Sequence, residues 1–421
     1  MDLIILHALL LFGIFFTASK VVKLRSEVSP FNFLFYLFAF SAIIGTLNEP
    51  VRCHLFSFLL FTVFIYILER VRRGNNKFIY LIPAITLFWN NIHGGVVSGL
   101  GLCLMYALGE FLNKKPYKDY MIVFAISSLV LFINPWGFDY IKFLLMANTM
   151  DRSEIVEWWS IFSSFHLFRQ ILFKLYMIIM IATETVYVFK IIKQYGKNFY
   201  LNIDKTKYIV LLATLYLAVS HVKLIPLFII TSLCFVYEDF YKLIKNIKLP
   251  SIKDKLVYGL VLFISLFTLL TRDISLPVGF NRYPVKEVEF IKINNLQGKL
   301  LADFGYGSYI SYKLYPNNLI FMDGRYEEVY YDYMVPILKE FFLANKNWDY
   351  VLKNYRPDVM IIQKSYPIYE KLSKLKGWQL VYNGDLFGVF VPSETAKSNY
   401  IQPTNNQEYY KNSLFDTNIK F

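Results

Sequence analysis

Apolar runs of about 15 to 22 residues recur near 3–19, 30–48, 53–68, 78–92, 95–112, 119–134, 170–191, 208–222, 224–240 and 256–271. Runs of that length predict about ten membrane-spanning helices. From residue 272 the pattern changes. Short strand-like runs alternate with amphipathic stretches, predicting strands at 299–301, 319–322 and 359–363, helices at 306–314, 329–344, 347–354 and 367–376, and a hairpin over 378–391. The expected fold is therefore a polytopic α-helical membrane bundle over residues 1–271, followed by a small extracytoplasmic α/β domain over 272–392. A tail over 393–421, rich in Asn, Ser, Thr and Gln, is expected to be disordered.

Basic residues orient the bundle. Lys20/Lys23/Arg25, Arg70/Arg72/Arg73/Lys77, Lys114/Lys115/Lys118, Lys190/Lys193/Lys197/Lys205/Lys207 and Lys242/Lys245/Lys248/Lys253/Lys255 occupy alternate loops, which the positive-inside rule assigns to the cytoplasm. The 91–94 turn, the stretch 134–169, the 221–223 turn and everything after residue 271 then face outward, and the first span starts outside. That first run has neither a basic leader nor a small-residue cleavage site, so it reads as a helix that stays. With 56% hydrophobic and 19% aromatic residues, an ordinary soluble domain is excluded for this part. The net charge of +13 sits mostly in short loops beside apolar runs, which fits orientation and anionic lipid, with no nucleic-acid partner. Cys53, Cys103 and Cys234 match neither a metal knuckle nor a redox pair. In the outer stretch, Phe138, Ile141, Leu144 and Leu145 form one apolar face of a surface helix. Trp158 and Trp159 follow, as interfacial anchors or as saccharide-stacking rings.

Threaded this way, Asn90, Asn91, His93, Asp139, Glu154, Glu157, His221 and Lys223 emerge on one face, the face that carries the α/β domain, which suggests a site between bundle and cap. The segment 88–95 joins two spans with almost no loop, and its paired glycines read as backbone freedom for a tight turn. His93 in that turn suits a hydrogen bond to phosphate or sugar, or metal ligation; it reads equally as a satisfied polar residue of a helix-breaking turn. Lys223 beside His221 suits the phosphate of a lipid-linked substrate, or snorkels to the interface. Asp139, Asp151, Glu154 and Glu157 are ordinary for a solvated loop, although a pair of them suits a divalent cation such as Mg or Mn held with phosphate oxygens. Glu184 lies inside a span, where a bare carboxylate costs about 2.5–3.5 kcal/mol; it reads as protonated or bonded to polar neighbours in preference to a transport role. Asp303 and Asp323 each follow a short strand, predicting two carboxylates at the carboxyl ends of neighbouring parallel strands. Asp323-Gly324-Arg325 reads equally as a turn closed by an Asp to Arg pair.

Arg52-Cys-His-Leu-Phe-Ser through Glu69-Arg70, Trp89-Asn-Asn-Ile-His-Gly-Gly through Gly109-Glu110, and Asn134-Pro-Trp-Gly resemble polytopic bacterial and archaeal proteins of the GT-C glycosyltransferase superfamily. Leu301-Ala-Asp-Phe-Gly-Tyr-Gly-Ser-Tyr through Phe321-Met-Asp-Gly-Arg looks like the start of their external domain. It also faintly resembles the Trp-Trp-Asp-Tyr-Gly region of oligosaccharyltransferase catalytic subunits, of which only Asp303 and Gly305 match, so peptide-acceptor recognition is not carried over. The resemblance covers roughly residues 10 to 392. It implies inverting transfer of a sugar from a polyprenyl-phosphate donor at the outer membrane face, with membrane lipid and the lipid-linked sugar as partners. Asn91 and His93 would shape the donor site, His221 and Lys223 would bind lipid phosphate, and the region from Asp303 through Asp323 to Arg325 would cap the acceptor. In that family an acidic residue of the first outer loop is the catalytic base or metal ligand. The first span here matches the family's second, so that residue is expected to lie outside this chain and the catalytic residue stays unassigned. A reading from another class is a non-catalytic membrane protein, an inactive or truncated homologue, whose external domain binds a saccharide or a partner protein. A transporter fits less well, because no inverted repeat and no mid-depth polar set is detectable.

Overall fold

The computed structural model of the chain describes residues 2–25, 32–47, 53–150, 152, 155–244, 283–325, 329–330, 333–406 and 409–410. Two compact units divide it, Met1–Asn148 with Arg152–Ile274 and Thr149–Asp151 with Ser275–Phe421. In the first, each apolar run among the described residues forms a helix: α1 (Asp2–Arg25), α2 (Asn32–Leu47), α3 (His54–Arg72), α4 (Leu81–Asn90), α5 (Val96–Leu112), α6 (Lys118–Val130), α8 (Ile171–Tyr195), α9 (Lys205–Ser220) and α10 (Ile225–Phe235), with α11 (Tyr237–Ile244) after a break. The helix expected in the outer stretch is α7 (Phe138–Thr149). The run at 256–271 lies outside the described residues.

Among the described residues three helices are long and apolar enough to cross a membrane, Ile5–Arg25, His54–Arg72 and Ile171–Leu201; Val222–Phe235 and Tyr237–Leu243, bent by 54°, add a fourth if they form one span. The other apolar helices are shorter than the runs predict. The run at 78–92, for instance, spends its first residues on a 3₁₀ turn, Asn76–Tyr80, leaving 10 residues for α4. Every residue of α10 is buried, against α1, α2 and α9 among others, as expected for a helix apolar on all sides. On α8, by contrast, Leu172, Ile178 and Phe189 are exposed, an apolar surface that suits lipid better than water.

The second unit contains α12 (Val285–Ile293), β1 (Gly298–Ala302), α13 (Phe304–Leu314), β2 (Asn318–Ile320), α14 (Met334–Phe342), α15 (Tyr350–Asn354), β3 (Val359–Gln363), α16 (Pro367–Ser373), β4 (Trp378–Asn383) and β5 (Phe387–Pro392). Its sheet runs β2-β1-β3-β5-β4, with β2, β1 and β3 parallel and β5 antiparallel to both its neighbours. Strands β3 and β5 are buried on successive residues, so both sheet faces are covered, which explains why they read as continuous apolar runs. Helix α13 crosses close over the end of β2: a Cβ on Gly307 would stand 2.4 Å from the Met322 carbonyl oxygen, so only glycine fits.

The first part of the tail, 393–406, is bonded to the α/β unit. Asn294 Nδ2 donates to the Ile401 carbonyl at 2.8 Å, and the Ile401 amide donates back to Asn294 Oδ1 at 2.8 Å. The Tyr400 ring packs on Phe290 at 5.3 Å. The Tyr400 ring and one side-chain amide that pairs with the Ile401 backbone anchor this otherwise polar segment.

Candidate functional site

The site is built where the stretch after α7 meets the turn between α9 and α10. The Val222 amide donates to the Trp159 carbonyl at 3.1 Å and the Ile161 amide to the Val219 carbonyl at 3.2 Å. Ser160 Oγ adds a bond to the Val219 carbonyl at 2.9 Å. This short ladder holds Trp158 beside His221 and Lys223. The His221 ring meets the Trp158 ring edge-on at 5.2 Å, and its Nδ1 lies 2.7 Å from the Trp158 carbonyl. A carbonyl only accepts, so Nδ1 carries the proton. The Lys223 ammonium lies 5.1 Å and the Arg152 guanidinium 4.2 Å from the Trp158 ring. Arg152 also donates to the Ala147 carbonyl at the end of α7. Two cations thus share one indole, and among the described residues no carboxylate pairs with Lys223.

His93 belongs to the same neighbourhood. Burial first, and then the Lys223 charge, push its imidazole down to about 4, so it is neutral at physiological pH. Its Nδ1 accepts the Gly95 amide at 3.0 Å and lies 2.7 Å from Ser57 Oγ, which in turn accepts from Trp89 Nε1 at 2.8 Å. Gly95 has ordinary helical dihedrals, φ −59° and ψ −8°, so the expectation of special backbone freedom is corrected. Glycine is required for space: a Cβ there would lie 2.6 Å from both His93 Nδ1 and Ser57 Oγ. Leu144 of α7 packs over the neighbouring Gly94. The arrangement gives two positive charges on one aromatic surface and a neutral imidazole that feels the Lys223 charge, a chemistry suited to an oxyanion.

The remaining expected residues are placed differently. Asn91 donates to the Leu87 and Ile133 carbonyls at 2.9 and 3.2 Å, fastening the end of α4 to the chain after α6. Asp139 is exposed and paired with Lys142 at 2.7 Å. Glu157 lies in the 3₁₀ turn Val156–Trp158, and Glu154 lies outside the described residues. Among the described residues no group of three or more His, Cys, Asp or Glu could hold a metal ion. Glu184 accepts from Lys207 at 2.6 and 2.7 Å and from Tyr208 at 2.7 Å, and Lys207 also pairs with Asp239. Its partners are neighbouring polar groups, one of the two alternatives open from sequence. A largely apolar cavity of about 430 Å³ lies alongside, between α8, α9 and α10.

In the α/β unit, Asp303 and Asp323 follow the parallel neighbours β1 and β2. Both are bonded internally. Asp303 caps α13 through the Gly305 amide at 2.8 Å and accepts from Tyr366 at 2.6 Å. Asp323, 2% exposed, accepts two-point from Arg325 Nε and Nη2 at 3.1 and 2.8 Å. Burial pushes its carboxyl up, but the hydrogen bonds from Arg325 outweigh this and hold it below the ordinary range. The turn closed by an Asp to Arg pair is the arrangement found.

Sequence reasoning missed Ser57, Trp89 and Arg152 as members of the site. Ser57 and Trp89 stand inside the motifs quoted for the resemblance, but Ser57 lies 36 residues from His93 and 32 from Trp89, so their link leaves no local pattern. A scan against protein-family models and a search of curated proteins find no match to the chain.

Proposed function

We propose that the chain is a multi-pass membrane protein of the GT-C glycosyltransferase type, handling a polyprenyl-phosphate-linked sugar at the outer face, with its α/β domain extracytoplasmic. The observation that carries this reading is the pair of cations on Trp158, with the neutral His93 nearby: such a set suits the phosphate of a lipid-linked sugar at an interface where low dielectric strengthens charge-assisted bonds. Lys223 and Arg152 supply the charge, His93 contributes a hydrogen bond, and Trp158 offers an indole beside the sugar. The exposed Arg325 side chain is the contribution of the α/β domain to acceptor recognition.

His93→Ala and Lys223→Ala, each at unchanged membrane abundance, should abolish sugar transfer to the envelope acceptor in cells. In purified protein reconstituted in nanodiscs, Lys223→Ala should weaken binding of a polyprenyl phosphate roughly tenfold to a hundredfold. Unchanged transfer in both variants removes the assignment. Saccharide or partner binding that is indifferent to polyprenyl phosphate supports the non-catalytic reading in its place.

A further inference from the structure

His93 has two chemically different nitrogens, and the surrounding hydrogen bonds decide which carries the proton. The Gly95 amide, 3.0 Å from Nδ1, only donates, so Nδ1 presents a lone pair. The Trp89 indole N–H also only donates, and it fills one acceptor position of Ser57 Oγ at 2.8 Å. The Ser57 hydroxyl is therefore free to turn its own proton toward Nδ1, 2.7 Å away. We infer that Ser57 is a positioning residue that, through the chain Trp89 to Ser57 to His93 and together with the Gly95 amide, locks the His93 imidazole as the Nε2–H tautomer and makes it a neutral hydrogen-bond donor to its ligand. The lock is built from buried parts, with Ser57 5% and Trp89 0% exposed, so Ser57 itself does not touch a ligand.

Two consequences follow from the proton's place. Adding a second proton would set Nδ1–H against the Gly95 N–H, so the imidazolium is disfavoured by geometry as well as by burial and Lys223. Nε2–H has no protein partner among the described residues and remains available to an oxygen acceptor. Nε2 has no lone pair with which to bind a metal or take a proton, and this removes metal ligation from the readings of His93. The identity of the acceptor as a phosphate oxygen rests on the function proposed above; the tautomer does not.

The test is ¹H–¹⁵N side-chain spectroscopy of the full-length ¹⁵N-labelled protein in nanodiscs, with the His93 signals assigned by their loss in His93→Asn. The expected wild-type result is an Nε2–H pattern that does not titrate between pH 5.5 and 8, with the His221 signals showing the opposite, Nδ1–H pattern as an internal sign of folding. Ser57→Ala should give mixed tautomers and a titration midpoint raised by about one pH unit, and Ser57→Thr should restore the wild-type pattern. A wild-type Nδ1–H pattern overturns the inference, as does a Ser57→Ala spectrum identical to wild type while the His221 signals are retained. Absence of polyprenyl-phosphate binding by a wild-type protein with the Nε2–H pattern would defeat the function and leave the lock standing.

Discussion

Glu287 is 4% exposed on α12, tucked against Gly384 at the hairpin turn, where any Cβ would stand 2.0 Å from its carboxylate. Burial, which outweighs the opposing attraction of Lys286, pushes the carboxyl up to about 7. A raised carboxyl binds its proton more tightly in the folded state, so the stability it contributes is full below its ordinary range and is lost as pH rises from about 4.5 through 7, amounting to about 3 kcal/mol. Hydrogen exchange of the β4–β5 hairpin in the full-length protein, corrected for intrinsic rates, should quicken between about pH 5 and 7, and Glu287→Gln should flatten that change. Equal pH dependence in both proteins would refute the assignment. His93 is perturbed by the same cause in the opposite sense, because burial disfavours the charged form of each.

At the level of elements, the ends of α1, α3 and α5 and the start of α9 are tied by buried charge. Arg72 pairs with Glu69 at 3.0 Å, Glu110 at 2.8 Å and Asp204 at 2.9 Å, while Arg25 pairs with Glu69 at 2.9 Å and Tyr106 donates to Glu69 at 3.0 Å. From sequence, Arg25 and Arg72 belonged to basic loops assigned to the cytoplasm; the structure puts both side chains at 10% exposure inside the bundle. The positive-inside rule counts charges along the chain and cannot distinguish a loop cation from one neutralised by carboxylates on other helices. Arg72→Leu leaves three carboxylates short of a partner and should cost roughly 3–5 kcal/mol, seen as a large fall in the thermal midpoint in detergent. Lys242→Ala, which removes an exposed pair with Glu238, should cost under about 1 kcal/mol. Equal midpoints for the two variants would show that the buried cluster is not a clamp.

For the molecule as a whole, topology is the quantity on which the functional reading depends. With Cys53, Cys103 and Cys234 replaced, single cysteines at Phe162 and Lys374 should react with an impermeant reagent added to intact cells, and one at Gly74 only after lysis. Reaction at Gly74 equal to that at Phe162 would overturn the orientation derived from the basic loops. Reaction at Phe162 without Lys374 would remove the α/β unit from the outer face. The helices that pass the length and apolarity criteria, together with the exposed apolar side of α8, set the membrane as the surroundings in which the experiment makes sense.

The sequence by itself determined that the chain is membrane-directed, it located the helices of the described part of the bundle, and it located the strands of the α/β unit, because apolar run length and period are local properties that survive without knowledge of partners. It also singled out His93, His221 and Lys223, since polar residues beside apolar runs are conspicuous. Only the tertiary structure decided which groups these residues meet. Arg72 and Asp204 stand 132 residues apart, Ser57 and His93 stand 36 apart, and Asn294 meets Ile401 across 107. A hydrogen bond depends on direction and distance in space, and neither the partner of Arg72 nor the protonated nitrogen of His93 has a period along the chain from which it could be read.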